Sequence, residues 1–254
     1  MAAPARLADG DLAEGVMAAL GRIAGLAPSP VLAGRLAAAS ALLPACAAAP
    51  EHHDHPAWAA LLDAVTVQET RLFRIPAQCA ALAARLPGLA ARARAEGRAL
   101  RLLSAGCASG EEAFTLAALA RAAAADWPVE VLGLDLCRPA LARAQSGRLE
   151  PGLGDPLALV PPHLLPDFAD GQPAPALRAR TRFRRANLHL DQDAGAGFDV
   201  VFCRNVLIYL TEPARLALLA RLRGALAPGG VLGLGPTDRH PPGMAHLGEN
   251  LLDG

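Results

Sequence analysis

From Ala99 onward the chain alternates short apolar runs with segments of helical period, and this alternation restricts the fold more than any other feature. Ala99–Ala105 (ALRLLSA) predicts a first strand, followed by the small-residue turn Gly106-Cys107-Ala108-Ser109-Gly110. Glu111–Ala125 predicts a helix with two acids in its first turn, which suits the positive end of a helix dipole. Val129–Asp135 (VEVLGLD) predicts a second strand, Arg138–Ser146 a second helix and Phe183–Asn187 a third strand. Phe198–Asn205 (FDVVFCRN) is the continuous apolar run expected of a central parallel strand. Thr211 then caps a predicted helix whose Leu216, Leu219, Leu222 and Leu226 share one face, stopped by Pro228-Gly229-Gly230. Val231–Gly235 predicts a fifth strand. Strands and helices in this order make an α/β fold, a doubly wound sheet with ligands at the carboxyl ends of its strands.

Residues 1–65 differ in character. They are rich in Ala and Leu and punctuated by Pro28, Pro30, Pro44, Pro50 and Pro56, and Asp11–Ile23 and Val31–Leu43 read as short helices. A small all-helical N-terminal domain over 1–65 is therefore expected ahead of an α/β domain over 66–254. The 53% of hydrophobic and 19% of charged residues predict a folded chain. All 24 basic residues are arginines, balanced by 24 acids, so the electrostatic footprint of a nucleic-acid binder is missing. The start of the chain lacks the apolar stretch of a secretory signal, and Ala113–Ala125 is too short to span a bilayer and is broken by Arg121. A cytoplasmic location without membrane insertion is expected. The five cysteines form no CxxC pair, which indicates neither a disulfide framework nor a zinc site. His52-His53-Asp54-His55 has metal-ligating residue types, but no second ligand group accompanies it, so it reads as a solvated loop and no metal is expected.

The predicted strand ends carry the chemistry. The turn after the first strand is not the GxGxxG dinucleotide fingerprint, and Glu111-Glu112 follows it directly. Two acids at a helix start repel a pyrophosphate and suit a cation. S-adenosylmethionine, which has no phosphate and carries a sulfonium and an ammonium, fits better than NAD. Asp135 ends the second strand, where an acid accepts both ribose hydroxyls in nucleoside-binding sheets. A carboxylate at a strand end is seldom needed for packing, so its loss is expected to spare the fold.

Three ordered blocks then carry a resemblance. LSAGCASGEEA from Leu103, FDVVFCRNVLIYL over Phe198–Leu210 and TVQETRLFRIP over Thr66–Pro76 resemble the signature segments of the CheR-type chemoreceptor glutamate O-methyltransferases. Asn187-Leu188 and Gly233–Asp238 extend the match to later strands. The resemblance implies a Rossmann-like methyltransferase sheet and S-adenosylmethionine as cofactor. It implies methyl transfer to glutamate carboxylates of a bacterial chemoreceptor or other signalling protein, by a monomer. Arg74 corresponds to the arginine that reaches the cofactor carboxylate and the reaction centre, with Thr70 and Gln68 as neighbouring contacts. Gly106 belongs to the cofactor turn, Glu112 corresponds to the acid for the methionyl ammonium, and Asp135 to the ribose acid. Asn187 and Leu188 correspond to the adenine edge, Asn205 and Val206 to the methyl-donor end, and Tyr209 to the tyrosine beside the transferring methyl. An ionised carboxylate needs no proton removed before attack, so no general base or metal is required. The Asn-Pro-Pro-Tyr motif of amino-methyltransferases is absent, because Val206 follows Asn205.

Departures from the family pattern leave two further readings open. Arg71 and Leu72 stand where aromatic residues are usual, Gln68 where Asn is usual, and Gly235-Pro236-Thr237-Asp238 where the family has Gly-His-Ser-Glu. The last antiparallel strand is not recognisable before Gly254, and the acidic N-terminal unit lacks the family's basic receptor-contact helix. Gly147–Ala186 is too compact for a full receptor-tethering subdomain; within it Arg178, Arg180, Arg182 and Arg184 alternate onto what reads as a solvated strand edge. A cofactor-binding signalling module with little catalysis, and a small-molecule O-methyltransferase, fit the same sheet.

Overall fold

The computed structural model describes residues 9–124, 126–149, 154–191 and 195–254. Among the described residues, seven strands form a single sheet. β1 (Leu100–Ala105), β2 (Val129–Asp135), β3 (Thr181–Arg185), β4 (Phe198–Cys203) and β5 (Leu226–Leu234) run parallel, while β6 (His246–Gly248) and β7 (Leu251–Asp253) form a hairpin at one edge. The spatial order is β3-β2-β1-β4-β5-β7-β6, with β7 antiparallel to β5. The order reverses between β1 and β4, and that reversal opens a crevice at their carboxyl ends.

Cross-strand register shows why both faces are buried. Val131, Leu102, Val200 and Val231 stand in one row across β2, β1, β4 and β5. The next row, Leu132, Leu103, Val201 and Leu232, points to the opposite face. The first row packs under α5 (Pro76–Ala95) and α6 (Glu111–Ala123) through Leu82, Leu86, Phe114 and Leu116. The second packs under α9 (Glu212–Ala225) through Leu218, Leu219 and Leu222. Two shorter helices, α7 (Arg138–Ser146) and α8 (Pro175–Arg178), pack beside β3. A third apolar cluster, around Leu20, Ile23, Trp58, Leu61 and Leu62, joins α1 (Asp9–Ala24), α2 (Pro30–Ala38), α3 (Leu43–Ala47) and α4 (Pro56–Val65).

The sheet interior holds a charged group on β4. Asp199 on β4 is fully buried and accepts from Arg98 Nη1 and Nη2 at 2.7 and 2.8 Å and from the Arg101 backbone N–H at 3.0 Å. This forked pairing compensates a carboxylate that would otherwise be costly to bury.

Several elements differ from the sequence expectation. The last antiparallel strand is present: β7 is only three residues long, but Leu251 and Leu252 are fully buried and pair with Gly233 and Leu232. A segment that short leaves no periodic signal. α5 had no counterpart in the sequence reading, because its exposed arginines and alanines dilute the apolar repeat. β3 begins and ends two residues earlier than expected and lies at the sheet edge, with Arg182 and Arg184 exposed and Arg178 on α8. On α9, Leu216 is 58% exposed and Leu218 takes the buried position, while Leu226 has already left the helix for β5. The expected end of the helix at Ala125 lies outside the described residues; α6 stops at Ala123.

Candidate functional site

The crevice at the strand ends is a cleft walled on three sides. The sheet side supplies Gly106, Ala108, Asp135, Asn187 and Asn205; the α4–α5 connection supplies Thr66 to Glu69; and Ala24 to Leu32 closes the top. Gly106 has φ +85°, and a Cβ there would be driven into Val206 Cγ2, so only glycine keeps this floor open. Its N–H and that of Cys107 both donate to Leu134 O, at 2.8 and 2.9 Å, pulling the turn tightly against β2.

Asp135 anchors the next turn. Its Oδ2 accepts the Ala108 N–H at 2.8 Å and its Oδ1 the Cys137 N–H at 2.9 Å. Burial pushes its carboxyl above the ordinary carboxylate range, and these backbone donors oppose that shift only in part. A carboxylate offers about four lone-pair sites, so acceptor capacity remains for a ligand in the cleft. The expectation that Asp135 is dispensable for the fold is thus reversed. It holds the Ala108 and Cys137 N–H groups of two loops.

A charged network not expected from the sequence reaches the cleft wall through Arg204 and continues behind it. Arg204, 5% exposed, donates Nε to Glu112 Oε2 at 2.6 Å and Nη1 to the backbone oxygen of Arg74 and to Gln78 Oε1. Glu112 Oε1 accepts from Ser104 Oγ at 2.7 Å, and Gln78 Nε2 donates to Leu234 O at 3.0 Å. The ion pair ties the segment before α5 to the ends of β1, β4 and β5. Its signal in the sequence was a charge directly after β4, within the stretch Phe198–Asn205 that the sequence analysis assigns to the strand.

The structure gathers Gln68, Gly106, Asp135, Asn187, Leu188, Asn205, Val206 and Tyr209 on the cleft wall, and it does not bring Thr70, Arg74 or Glu112 onto it. Thr70 and Arg74 are half-buried beside it, and Arg74 Nη1 donates to Glu69 O at 2.9 Å. The Asn187 side chain is already engaged, donating to Ile23 O at 2.6 Å and accepting the His189 N–H at 3.0 Å. Asn187 therefore fastens the end of α1 to the cleft rim. A short antiparallel crossing does the same: Ala27 N–H donates to Tyr209 O and Thr211 N–H to Gly25 O, both at 2.8 Å, around the Leu26–Leu210 bridge. The role of Ala24–Leu32 as a wall had no sequence signal.

Three buried side-chain atoms of the cleft, Gln68 Oε1, Asn205 Oδ1 and His189 Nδ1, have no hydrogen-bond partner among the described residues. The two amide oxygens are acceptors, and Asn205 is held at φ +58°. With Asp135, they make a cleft that asks for donors. A nucleoside with ribose hydroxyls, an adenine amino group and an ammonium supplies donors; a pyrophosphate would add acceptors. The residues fit S-adenosylmethionine.

The family model described as CheR methyltransferase, SAM binding domain matches residues 68–249. The chain belongs to the CheR methyltransferase family. The residues of this CheR domain are 37% identical over 190 positions to the probable biofilm formation methyltransferase WspC of Pseudomonas aeruginosa, covering 70% of this chain and 43% of that protein. They are 35% identical over 193 positions to chemotaxis protein methyltransferase 1 of the same organism, covering 70% and 68%. Among solved structures, an S-adenosylmethionine-dependent methyltransferase from Mesorhizobium loti aligns with 25% identity and a TM-score of 0.33 over 54% of this chain and 46% of that one. The cofactor of the CheR domain is S-adenosylmethionine. Among the described residues no single helix is long and apolar enough to cross a membrane.

Proposed function

We propose that this chain transfers a methyl group from S-adenosylmethionine to glutamate carboxylates of a bacterial chemoreceptor or related signalling protein. The observation that carries the reading is the acceptor-rich cleft with Tyr209 on its wall, in a chain of the CheR family. Bound S-adenosylmethionine supplies a methyl group on a sulfonium, which departs as a neutral thioether when a carboxylate oxygen takes the methyl. In this reading Asp135 accepts the two ribose hydroxyls on its remaining lone pairs, and Leu188, with the backbone of Asn187, borders the adenine. Asn205 and Val206 flank the methyl-donor end. Glu112 provides the negative charge for the methionyl ammonium from behind the wall, shared with Arg204. Arg74 reaches the methionyl carboxylate by releasing Glu69 O, and Thr70 and Gln68 complete that end. Tyr209 orients the incoming glutamate by a hydrogen bond. An attacking carboxylate is already ionised near neutral pH, so the chain contributes alignment and the exclusion of water and needs no base.

In the same reading, residues 1–65 form a helical domain and 66–254 the methyltransferase domain of a cytoplasmic monomer that binds no nucleic acid. The test is transfer of tritiated methyl groups onto receptor-bearing membranes of the same cell. Label released by mild base is the expected result, since glutamyl methyl esters hydrolyse there. Cofactor binding with no label on any receptor fragment would favour a signalling module instead, and label on a small molecule alone would favour a small-molecule methyltransferase.

A further inference from the structure

The chain turns just before α5, and the turn is built from residues that resist it. Phe73 has φ +52° and Ile75 φ +61°, left-handed backbone on both sides of Arg74. A Cβ disfavours that region, and a β-branched side chain disfavours it most, so local preference does not make this turn. Backbone of this kind persists only where the surroundings over-determine it, and it gathers at functional sites. The Phe73 ring is 1% exposed and meets Phe168 edge-on, and the Phe73 N–H donates to Thr115 Oγ1 of α6 at 3.0 Å. The Ile75 carbonyl accepts the Cys79 N–H at 3.2 Å in the first turn of α5. Between them the Arg74 carbonyl turns inward and accepts from the buried Arg204.

Arg204 divides its guanidinium between two tasks. Its Nε meets Glu112 Oε2 at 2.6 Å, which by itself compensates that carboxylate. Its Nη1 goes to the Arg74 carbonyl and to Gln78 Oε1, and the group lies 4.9 Å from the centre of the Phe202 ring. Gln78 is fixed in turn, its Nε2 donating to Leu234 O at 3.0 Å. Compensating Glu112 needs only the first contact, so the grip on the turn is a separate feature. It also needs arginine, since the planar fork holds two nitrogens at set positions and a lysine offers one. The side chain of Arg74 stands on the other side of the turn, with Nη1 donating at 2.9 Å to the backbone oxygen of Glu69, a residue of the cleft wall.

We propose that Arg204 is a positioning residue for the cofactor: by holding the Arg74 carbonyl it fixes the left-handed turn, and with it the place of the Arg74 guanidinium at the methionyl carboxylate. The proposal rests on the reading of Arg74 given above. Its consequence is selective. Whatever Arg204 does through Arg74 falls on the carboxylate of the ligand, whereas whatever it does through Glu112 falls on the ammonium.

Calorimetry on the full chain compares S-adenosylhomocysteine with its decarboxylated analogue, which keeps the adenosine, the thioether and the ammonium. The wild type should favour S-adenosylhomocysteine about tenfold or more, and Arg74→Ala should lose most of that preference. Arg204→Lys keeps a cation beside Glu112 and gives up the second arm of the fork. It should bind S-adenosylhomocysteine about fivefold more weakly, hold the analogue within about twofold of wild type, and add nothing when combined with Arg74→Ala. Should circular dichroism show Arg204→Lys unfolded, Gln78→Met, which removes one partner of Arg204 Nη1 and leaves Glu112 paired, should show the same carboxylate-selective loss in weaker form. Equal losses for both ligands, or additive losses in the double variant, would make Arg204 a merely structural residue and overturn the proposal. A preference that Arg74→Ala leaves intact would instead overturn the reading of Arg74, and the proposal with it.

Discussion

Replacing Asp135 by alanine tests the cleft and the fold at once. Its two oxygens accept the Ala108 and Cys137 N–H groups at 2.8 and 2.9 Å, and the residue is 8% exposed. Each backbone donor left unsatisfied in a buried setting costs about 1–3 kcal/mol, so Asp135→Ala should lose about 2–6 kcal/mol of stability. Two charge-assisted bonds to ribose hydroxyls, at about 1.5–3 kcal/mol apiece, should also disappear and weaken S-adenosylhomocysteine binding tenfold or more. Asp135→Asn separates the two effects, since it keeps the shape and one acceptor oxygen. It should be closer to wild type in urea denaturation and still bind clearly less tightly in calorimetry. A pH series adds a sign. Burial raises the Asp135 pKa above its ordinary 3.8, so protonation favours the fold. That contribution is present below pH 3.8 and is lost as pH rises through the raised pKa. Ligand binding runs the other way, because the ionised form is the better acceptor. Affinity should therefore climb as pH rises through the raised pKa and then level off, with Asp135→Asn lacking that step. A folded variant with unchanged affinity, or a wild type with no such step, would refute the reasoning.

Other substitutions probe different links. Tyr209→Phe should slow methyl transfer while leaving S-adenosylhomocysteine affinity nearly intact, and Arg74→Ala should weaken affinity and rate together; calorimetry beside single-turnover kinetics separates them. Gly106→Ala forces a side chain into a left-handed backbone and against Val206, and should cost about 1–2 kcal/mol from backbone strain alone in thermal melts, with lower affinity as well. Arg98→Ala strands the fully buried Asp199 carboxylate and should cost about 3–5 kcal/mol in denaturant unfolding, with no role for the cofactor.

What the sequence made legible follows from how local each signal is. β2 and α7 stand where the periodicity put them, because a buried strand and a capped helix are each written in a contiguous stretch. β7 escaped because its stability comes from pairing with β5, a partner distant in sequence, rather than from its own three residues. The same contrast holds in the cleft. Gly106 and Asp135 could be read from strand–turn logic, since each lies at the end of its own strand. Arg204 and Glu112 become a pair only when β4 lies beside β1 and α6 rises from the β1 turn, and Gln78 joins them from α5. The acidic helical segment lacks the basic receptor-contact helix usual in the family. Its apolar Ala24–Leu32 stretch nevertheless walls the cleft, held by Asn187 and by the Leu26–Leu210 crossing. Asn187 is thus occupied on its side chain by the helical segment and on its backbone by Asp191. In the proposed reading the cofactor's base lies at this rim, so loosening either grip, for example by removing the Asn187 side chain, is expected to lower S-adenosylhomocysteine affinity in calorimetry.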